Sequence, residues 1–105
     1  MMAGDGSPAV CLGGVLELIV ESRAGTLESS DCLVCVYPSD RVEVRLKGVC
    51  ARMYPERTRA LVEEGLCRMG ITGALVEIQD QGAILPTLRA RLKTALSRAV
   101  GGVEG

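Results

Sequence analysis

Aliphatic side chains must fill almost the whole interior of this chain, because its 105 residues include no Trp, no Phe and only two tyrosines, Tyr37 and Tyr54. Hydrophobic residues make up 48% of the sequence, so a core can form, although one domain of this length has a core of limited size. An aliphatic core favours a sheet covered by helices. We therefore expect a single domain that contains both strands and helices.

Three strand-like runs occupy the first half of the chain. The run VLELIVES at 15–22 is apolar and β-branched and predicts a first strand. The run CLVCVYP, ended by Pro38, predicts a second, and RVEVRLKG predicts a third because its valines and Leu46 alternate with charged residues. The segment YPSDR between the last two runs predicts a hairpin turn.

Two helix-like segments enclose one more strand in the second half. PERTRALVEEGLCRMG starts with Pro55 at a position suited to a helix N-terminus and stops at Gly70. ALVEIQD predicts a strand, and LPTLRARLKTALSRAV predicts a second helix. The predicted core stripe of the second helix consists of Leu85, Leu88, Leu92, Ala99 and either Ala95 or Leu96.

The predicted element order is therefore β-β-β-α-β-α. This order favours an α+β, two-layer domain with a small, mainly antiparallel sheet covered on one face by two helices. We assign the domain to residues 14–100. The Gly-rich opening without periodicity predicts a flexible N-terminal extension at 1–13, and residues 101–105 are assigned as a flexible C-terminal tail.

Charge and hydropathy argue against nucleic acids and membranes as partners. The net charge is −1, and no aromatic platform exists on which bases could stack. The longest apolar stretch, Ala9 to Val20, is too short to span a bilayer and contains Glu17, while Asp5 stands where a signal peptide is basic. We expect a cytoplasmic protein.

The residues present also limit catalysis and metal binding. A chain with no histidine cannot form a Ser-His or Cys-His pair, so any catalysis it takes part in is expected on a partner. Five cysteines are an odd number for a disulfide framework. The spacing CLVC at Cys32 and Cys35 raises a zinc or redox interpretation, but residues three apart on a strand point to opposite faces, so we expect buried, inert thiols.

Four basic residues lie in the last predicted helix: Arg89, Arg91, Lys93 and Arg98. They fit the solvated face of an amphipathic helix. The alternative is that they contact phosphates or an acidic partner.

The segment AGTLESSD at 24–31 places Ser29 and Ser30 between Glu28 and Asp31. Taken alone, Ser-Ser-Asp is typical of a turn whose side chains satisfy backbone N–H groups. Together with DQGA at 80–83 and LRARLKTALSRA at 88–99, however, the segment resembles the acyl carrier protein (gamma) subunit of citrate lyase. The resemblance runs from about Ala24 to Ala99.

The resemblance implies that Ser29 carries a covalent phosphoribosyl-dephospho-CoA prosthetic group through a phosphodiester, and that Asp31 matches the aspartate of the motif. The family usually has Gly where this chain has Ser30, so Ser29 is selected by register with TLE. Glu28 and Asp31 could help to position a metal-nucleotide during attachment, or could be solvated loop carboxylates.

The function implied by the resemblance is carriage, with no bond chemistry performed by this chain. An acyl transferase alpha subunit and a lyase beta subunit would act on the carried acetyl and citryl thioesters, and a transferase, the holo-carrier synthase, would attach the group. Citramalate in place of citrate stays open. So do two other readings: the acyl carrier (delta) subunit of malonate decarboxylase, and an unmodified interaction module.

Overall fold

The computed structural model describes residues 20–100 and folds them into a four-stranded sheet with three helices. The strands are β1 (Ser22–Gly25), β2 (Cys32–Tyr37), β3 (Val42–Gly48) and β4 (Ala74–Asp80). The helices are α1 (Val49–Met53), α2 (Pro55–Met69) and α3 (Leu85–Ala99). The predicted extension at 1–13 and tail at 101–105 lie outside the described residues.

The strands lie in the order β1-β2-β4-β3. Strand β2 pairs antiparallel with β1 and with β4, whereas β3 pairs parallel with β4. Two of the three pairings are antiparallel, so the predicted α+β fold with a mainly antiparallel sheet is confirmed.

The predicted hairpin at YPSDR is wrong, because β4 lies between β2 and β3. Strand β4 alternates buried and half-buried residues along its whole length, as a central strand does. In β3 the residues Glu43, Arg45 and Lys47 are exposed. Charged side chains suit an edge position, where they also discourage pairing with another chain.

The start of the described sheet also differs from the sequence prediction. The strand predicted at 15–22 lies outside the described residues except for its last three positions, and β1 begins at Ser22 and continues to Gly25. Pairing with β2 extends the backbone here, with Arg23 opposite Cys35 and Ala24 opposite Val34. The helix α1 was not predicted from the sequence.

One face of the sheet packs against α2 and α3. Helix α2 begins with Pro55 and ends where Gly70 takes a left-handed conformation with φ of 71°, as predicted. The core joins side chains of both helices to the inward positions of the central strands: Val34, Val36, Val76 and Ile78 from the sheet, Val62 and Leu66 from α2, and Leu88, Leu92, Ala95, Leu96 and Ala99 from α3.

The thiols of the CLVC segment lie on opposite faces of β2, as the strand prediction requires. Cys32 is fully buried in the core, whereas Cys35 belongs to the face with Leu33 and Tyr37 and is 6% exposed. Cys50 is buried as well, but Cys67 is exposed, so the expectation of burial is wrong for that thiol. Cys11 lies outside the described residues.

Candidate functional site

The segment Thr26–Asp31 forms a tight loop between β1 and β2. The Thr26 N–H donates to the Cys32 carbonyl at 3.1 Å and closes the base of the loop. At the tip, the Asp31 N–H donates to the Glu28 carbonyl at 3.1 Å, so Glu28 and Asp31 are the first and last residues of a four-residue turn. The two serines therefore occupy its central positions.

Ser30 has a positive φ of 66°, and Ser29 does not. A positive φ at the third position of a turn favours glycine, because a Cβ atom there is crowded by the backbone. The backbone thus explains why glycine suits this position and why Ser30 occupies it under strain. The sequence alone did not reveal this conformation.

Ser29 is exposed, and its hydroxyl forms no hydrogen bond with another described residue. Ser30 is also exposed, and its hydroxyl likewise forms no hydrogen bond with another described residue, while its backbone N–H donates to the Gln81 carbonyl at 2.8 Å. The Gln81 N–H in turn donates to the Asp31 carbonyl at 2.9 Å. These two backbone hydrogen bonds fix the serine turn to the loop that follows β4.

That second loop is held by a buried carboxylate. Asp80 is 4% exposed, and its Oδ1 accepts hydrogen bonds from the N–H groups of Gly82 at 3.1 Å and Ala83 at 2.9 Å. The sequence segments AGTLESSD and DQGA, which are about 50 residues apart, are therefore neighbours in the structure.

Asp31 is the centre of a hydrogen-bond network at the base of the turn. Its Oδ1 accepts from the Cys32 N–H at 2.7 Å and from Arg91 Nε at 3.0 Å. Its Oδ2 accepts from the Thr26 hydroxyl at 2.7 Å and from Arg91 Nη2 at 2.9 Å. The four acceptor sites of the carboxylate are thereby used, which leaves none for a cation.

This network lowers the pKa of Asp31 to about 2, chiefly through the hydrogen bonds from Arg91 and then those from Thr26 and the Cys32 N–H. The same contact raises the pKa of Arg91. The pair is therefore ionised at neutral pH, and the bidentate geometry fixes the guanidinium as well as the turn.

Close packing at Gly25 completes the site. Its φ is 103°, and a Cβ atom at this position would lie 1.9 Å from the Cys32 carbonyl oxygen and 3.2 Å from Arg91 Cδ. Only glycine permits this close approach together with a positive φ.

The basic residues of α3 have different surroundings. Arg91 binds Asp31, and Arg98 donates to the Arg23 carbonyl at 3.0 Å, whereas Arg89 and Lys93 are exposed. Sequence reasoning missed the role of Arg91, because a contact across 60 residues leaves no local signal. Glu28 is exposed beside Ser29.

The described residues lack two other kinds of site. Within 20–100 no group of three or more Cys, Asp or Glu side chains could hold a metal ion. None of the helices in the same range is long and apolar enough to cross a bilayer.

Comparisons with known proteins agree on one class of protein. A family model of acyl carrier proteins, described as "Malonate decarboxylase delta subunit (MdcD)", matches residues 20–99. A solved Pseudomonas malonate decarboxylase hetero-tetramer contains a chain that superposes with a TM-score of 0.63 at 19% identity, over 82% of this chain and 90% of that one. That likeness shows the fold. The fold and the family model together define the class, an acyl carrier protein.

Relatives named citrate lyase acyl carrier protein make the assignment more specific. The relative from Albidiferax ferrireducens is 40% identical over 85% of this chain and 93% of its own length. The relative from Haemophilus influenzae strain PittEE is 45% identical over 72% of this chain and 80% of its own length. The relative from Treponema denticola is 38% identical over 75% of this chain and 91% of its own length. The chain belongs to the citrate lyase acyl carrier protein family. It is accordingly a carrier subunit and not an enzyme.

Proposed function

We propose that this chain is the acyl carrier subunit of citrate lyase and that Ser29 is the attachment point of its phosphoribosyl-dephospho-CoA group. The observation that carries the proposal is the serine turn: Ser29 is exposed at its tip, and its hydroxyl is not engaged by any described residue. An acceptor hydroxyl must be accessible to a modifying enzyme and unhindered by internal hydrogen bonds.

The surroundings of the turn suit a tether. Hydrogen bonds hold it on both sides, to Gln81 and, through Asp31, to Arg91 on α3. A group attached to Ser29 would therefore move about a fixed anchor, and its reach would be set by the length of the group itself. Asp31 keeps the turn in shape, and Glu28 is the carboxylate left exposed beside the acceptor.

The attached group would supply a terminal thiol that holds an acyl group as a thioester. This chain would contribute the tether, which raises the effective concentration of the acyl group at the active sites of its partners. Those partners would be an acyl transferase alpha subunit and a lyase beta subunit in a cytoplasmic complex that cleaves citrate to oxaloacetate and acetate. A holo-carrier synthase transferase would modify Ser29.

Intact mass tests this proposal. Co-expression with the modifying transferase should add one CoA-like mass to the wild-type protein, and Ser29→Ala should abolish the addition. Ser30→Gly is the matched control, because it removes the neighbouring hydroxyl and fits the positive φ of that position. If Ser29→Ala is fully modified and Ser30→Gly gains no mass, the attachment site is Ser30. If the wild-type protein gains no mass, the carrier proposal is refuted.

The description of the matching family model favours one alternative, the delta subunit of malonate decarboxylase. The two proposals predict different partners. Reconstitution of the modified chain with citrate lyase alpha and beta subunits should release oxaloacetate from citrate. Activity only with malonate decarboxylase subunits would favour the alternative.

A further inference from the structure

A groove of about 530 Å³ separates α2 from α3 on the surface of the helical layer. Gly65 of α2 faces α3, and a Cβ atom there would lie 3.4 Å from Leu92 Cδ2. The missing side chain keeps the middle of the groove open. Apolar side chains form its floor: Leu61, Met69, Leu92 and Leu96.

Cations dominate the rim of this groove. Arg89 and Lys93 of α3 are exposed, and neither forms an ion pair or hydrogen bond with another residue in 20–100. On the α2 side, Arg68 pairs with Glu64 at 2.7 Å, so those two charges offset one another. The rim keeps two uncompensated positive charges in a chain whose net charge is −1.

We infer that this groove is the docking surface for a lyase partner subunit that presents an apolar helix flanked by carboxylates. The inference rests on the proposed function, which supplies the partner. Two packed helices with an apolar floor accommodate a row of side chains from a third helix, and cations along the rim attract carboxylates. A free phosphate would use only the cations and would leave the apolar floor exposed to water.

Helix α3 connects this groove to the serine turn. Arg91 lies midway between Arg89 and Lys93 in the sequence, so its side chain projects from a different face of the helix. On that face it holds Asp31, two residues after Ser29. A partner seated in the groove would thus be positioned relative to Ser29 through one rigid helix, without covering the serine.

Binding to purified alpha and beta subunits, each measured separately, tests the inference. We use Ser29→Ala as the background, so that no attached group contributes. In that background Arg89→Glu with Lys93→Glu should weaken binding to a partner subunit about tenfold or more at low salt, and the effect should shrink as salt is added. The matched control is Arg41→Glu with Arg52→Glu, which makes the same charge change at exposed residues outside the groove.

A second variant addresses the floor. Leu61→Asp should weaken the same binding, and thermal unfolding will show whether the variant remains folded. Equal affinities of the charge-reversed pair and its control would overturn the inference. The inference would also be overturned if the charge-reversed pair weakened binding of the modified protein but not of the Ser29→Ala protein. In that case Arg89 and Lys93 would contact the phosphates of the attached group. Failure of wild-type protein both to gain mass on Ser29 and to bind either subunit would instead overturn the proposed function, and this inference with it.

Discussion

The Arg91 guanidinium donates two hydrogen bonds to the Asp31 carboxylate, from Nε to Oδ1 at 3.0 Å and from Nη2 to Oδ2 at 2.9 Å. The two residues are 60 positions apart in the sequence. The turn that contains both serines is therefore fixed to helix α3 and does not depend on its own strands alone. This contact makes the shape of the turn sensitive to the charge of one carboxylate.

Acid should loosen the contact between Asp31 and Arg91. The pKa of Asp31 falls from 3.8 to about 2 on folding, so its contribution to stability is complete above about pH 4 and is lost as the pH falls towards 2. We expect Asp31→Asn to have a lower Tm than wild type at neutral pH, and the difference to disappear between about pH 4 and pH 2. Circular dichroism melts across this range measure it, with Glu63→Gln as a control for removing an exposed carboxylate. A difference in Tm that persists unchanged at pH 2 would contradict the prediction.

Replacing Ser30 with glycine should stabilise the protein. The positive φ of Ser30 costs an L-residue more than it costs glycine, and we expect a gain of about 0.5–1 kcal/mol after the greater freedom of glycine in the unfolded chain is included. Urea unfolding of the unmodified protein measures the change. Ser29→Gly is the control, since Ser29 has no positive φ to relieve. Equal or lower stability of Ser30→Gly would argue against strain at this position.

Gly25 and Gly82 form a matched pair for testing close packing at the site. Both have a positive φ, but an added Cβ atom at Gly25 meets the Cys32 carbonyl oxygen, whereas at Gly82 nothing lies within 4 Å. We expect Gly25→Ala to lower the free energy of unfolding by about 3 kcal/mol and Gly82→Ala by about 1 kcal/mol. Chemical denaturation of both variants provides the test. Similar losses in the two would show that backbone conformation, and not the clash, sets the cost.

The buried thiols should resist alkylation in the native protein. Burial is the main cause that raises the pKa of Cys32 to about 12, and it raises the pKa of Cys50 as well. Iodoacetamide at mildly alkaline pH should therefore label exposed Cys67 well before Cys32 or Cys50, whether or not a chelator is present. Peptide mass spectrometry resolves the sites, and labelling in denaturant is the control. Rapid labelling of Cys32 on adding chelator would indicate a metal-dependent fold.

Local sequence signals determined several elements nearly to the residue. Pro55 and Gly70 bound α2 because one suits a helix start and the other adopts the left-handed conformation that ends it. The run ALVEIQD is strand β4 at the predicted residues, and the leucines of the last segment face the core. The resemblance carried by AGTLESSD also came from sequence, and the relatives confirmed the family.

Tertiary structure alone decided how these elements meet. Strand β4 takes the central place and displaces the predicted hairpin. All its residues are buried or half-buried, whereas the charged residues of β3 are exposed at an edge of the sheet. The pairing of Asp31 with Arg91 and the positive φ of Ser30 depend on contacts between distant segments. Periodicity and turn propensity depend only on the immediate neighbours of a residue, so the sequence could predict that the serines lie in a turn. The shape of that turn is fixed by its packing against α3 and against the loop after β4.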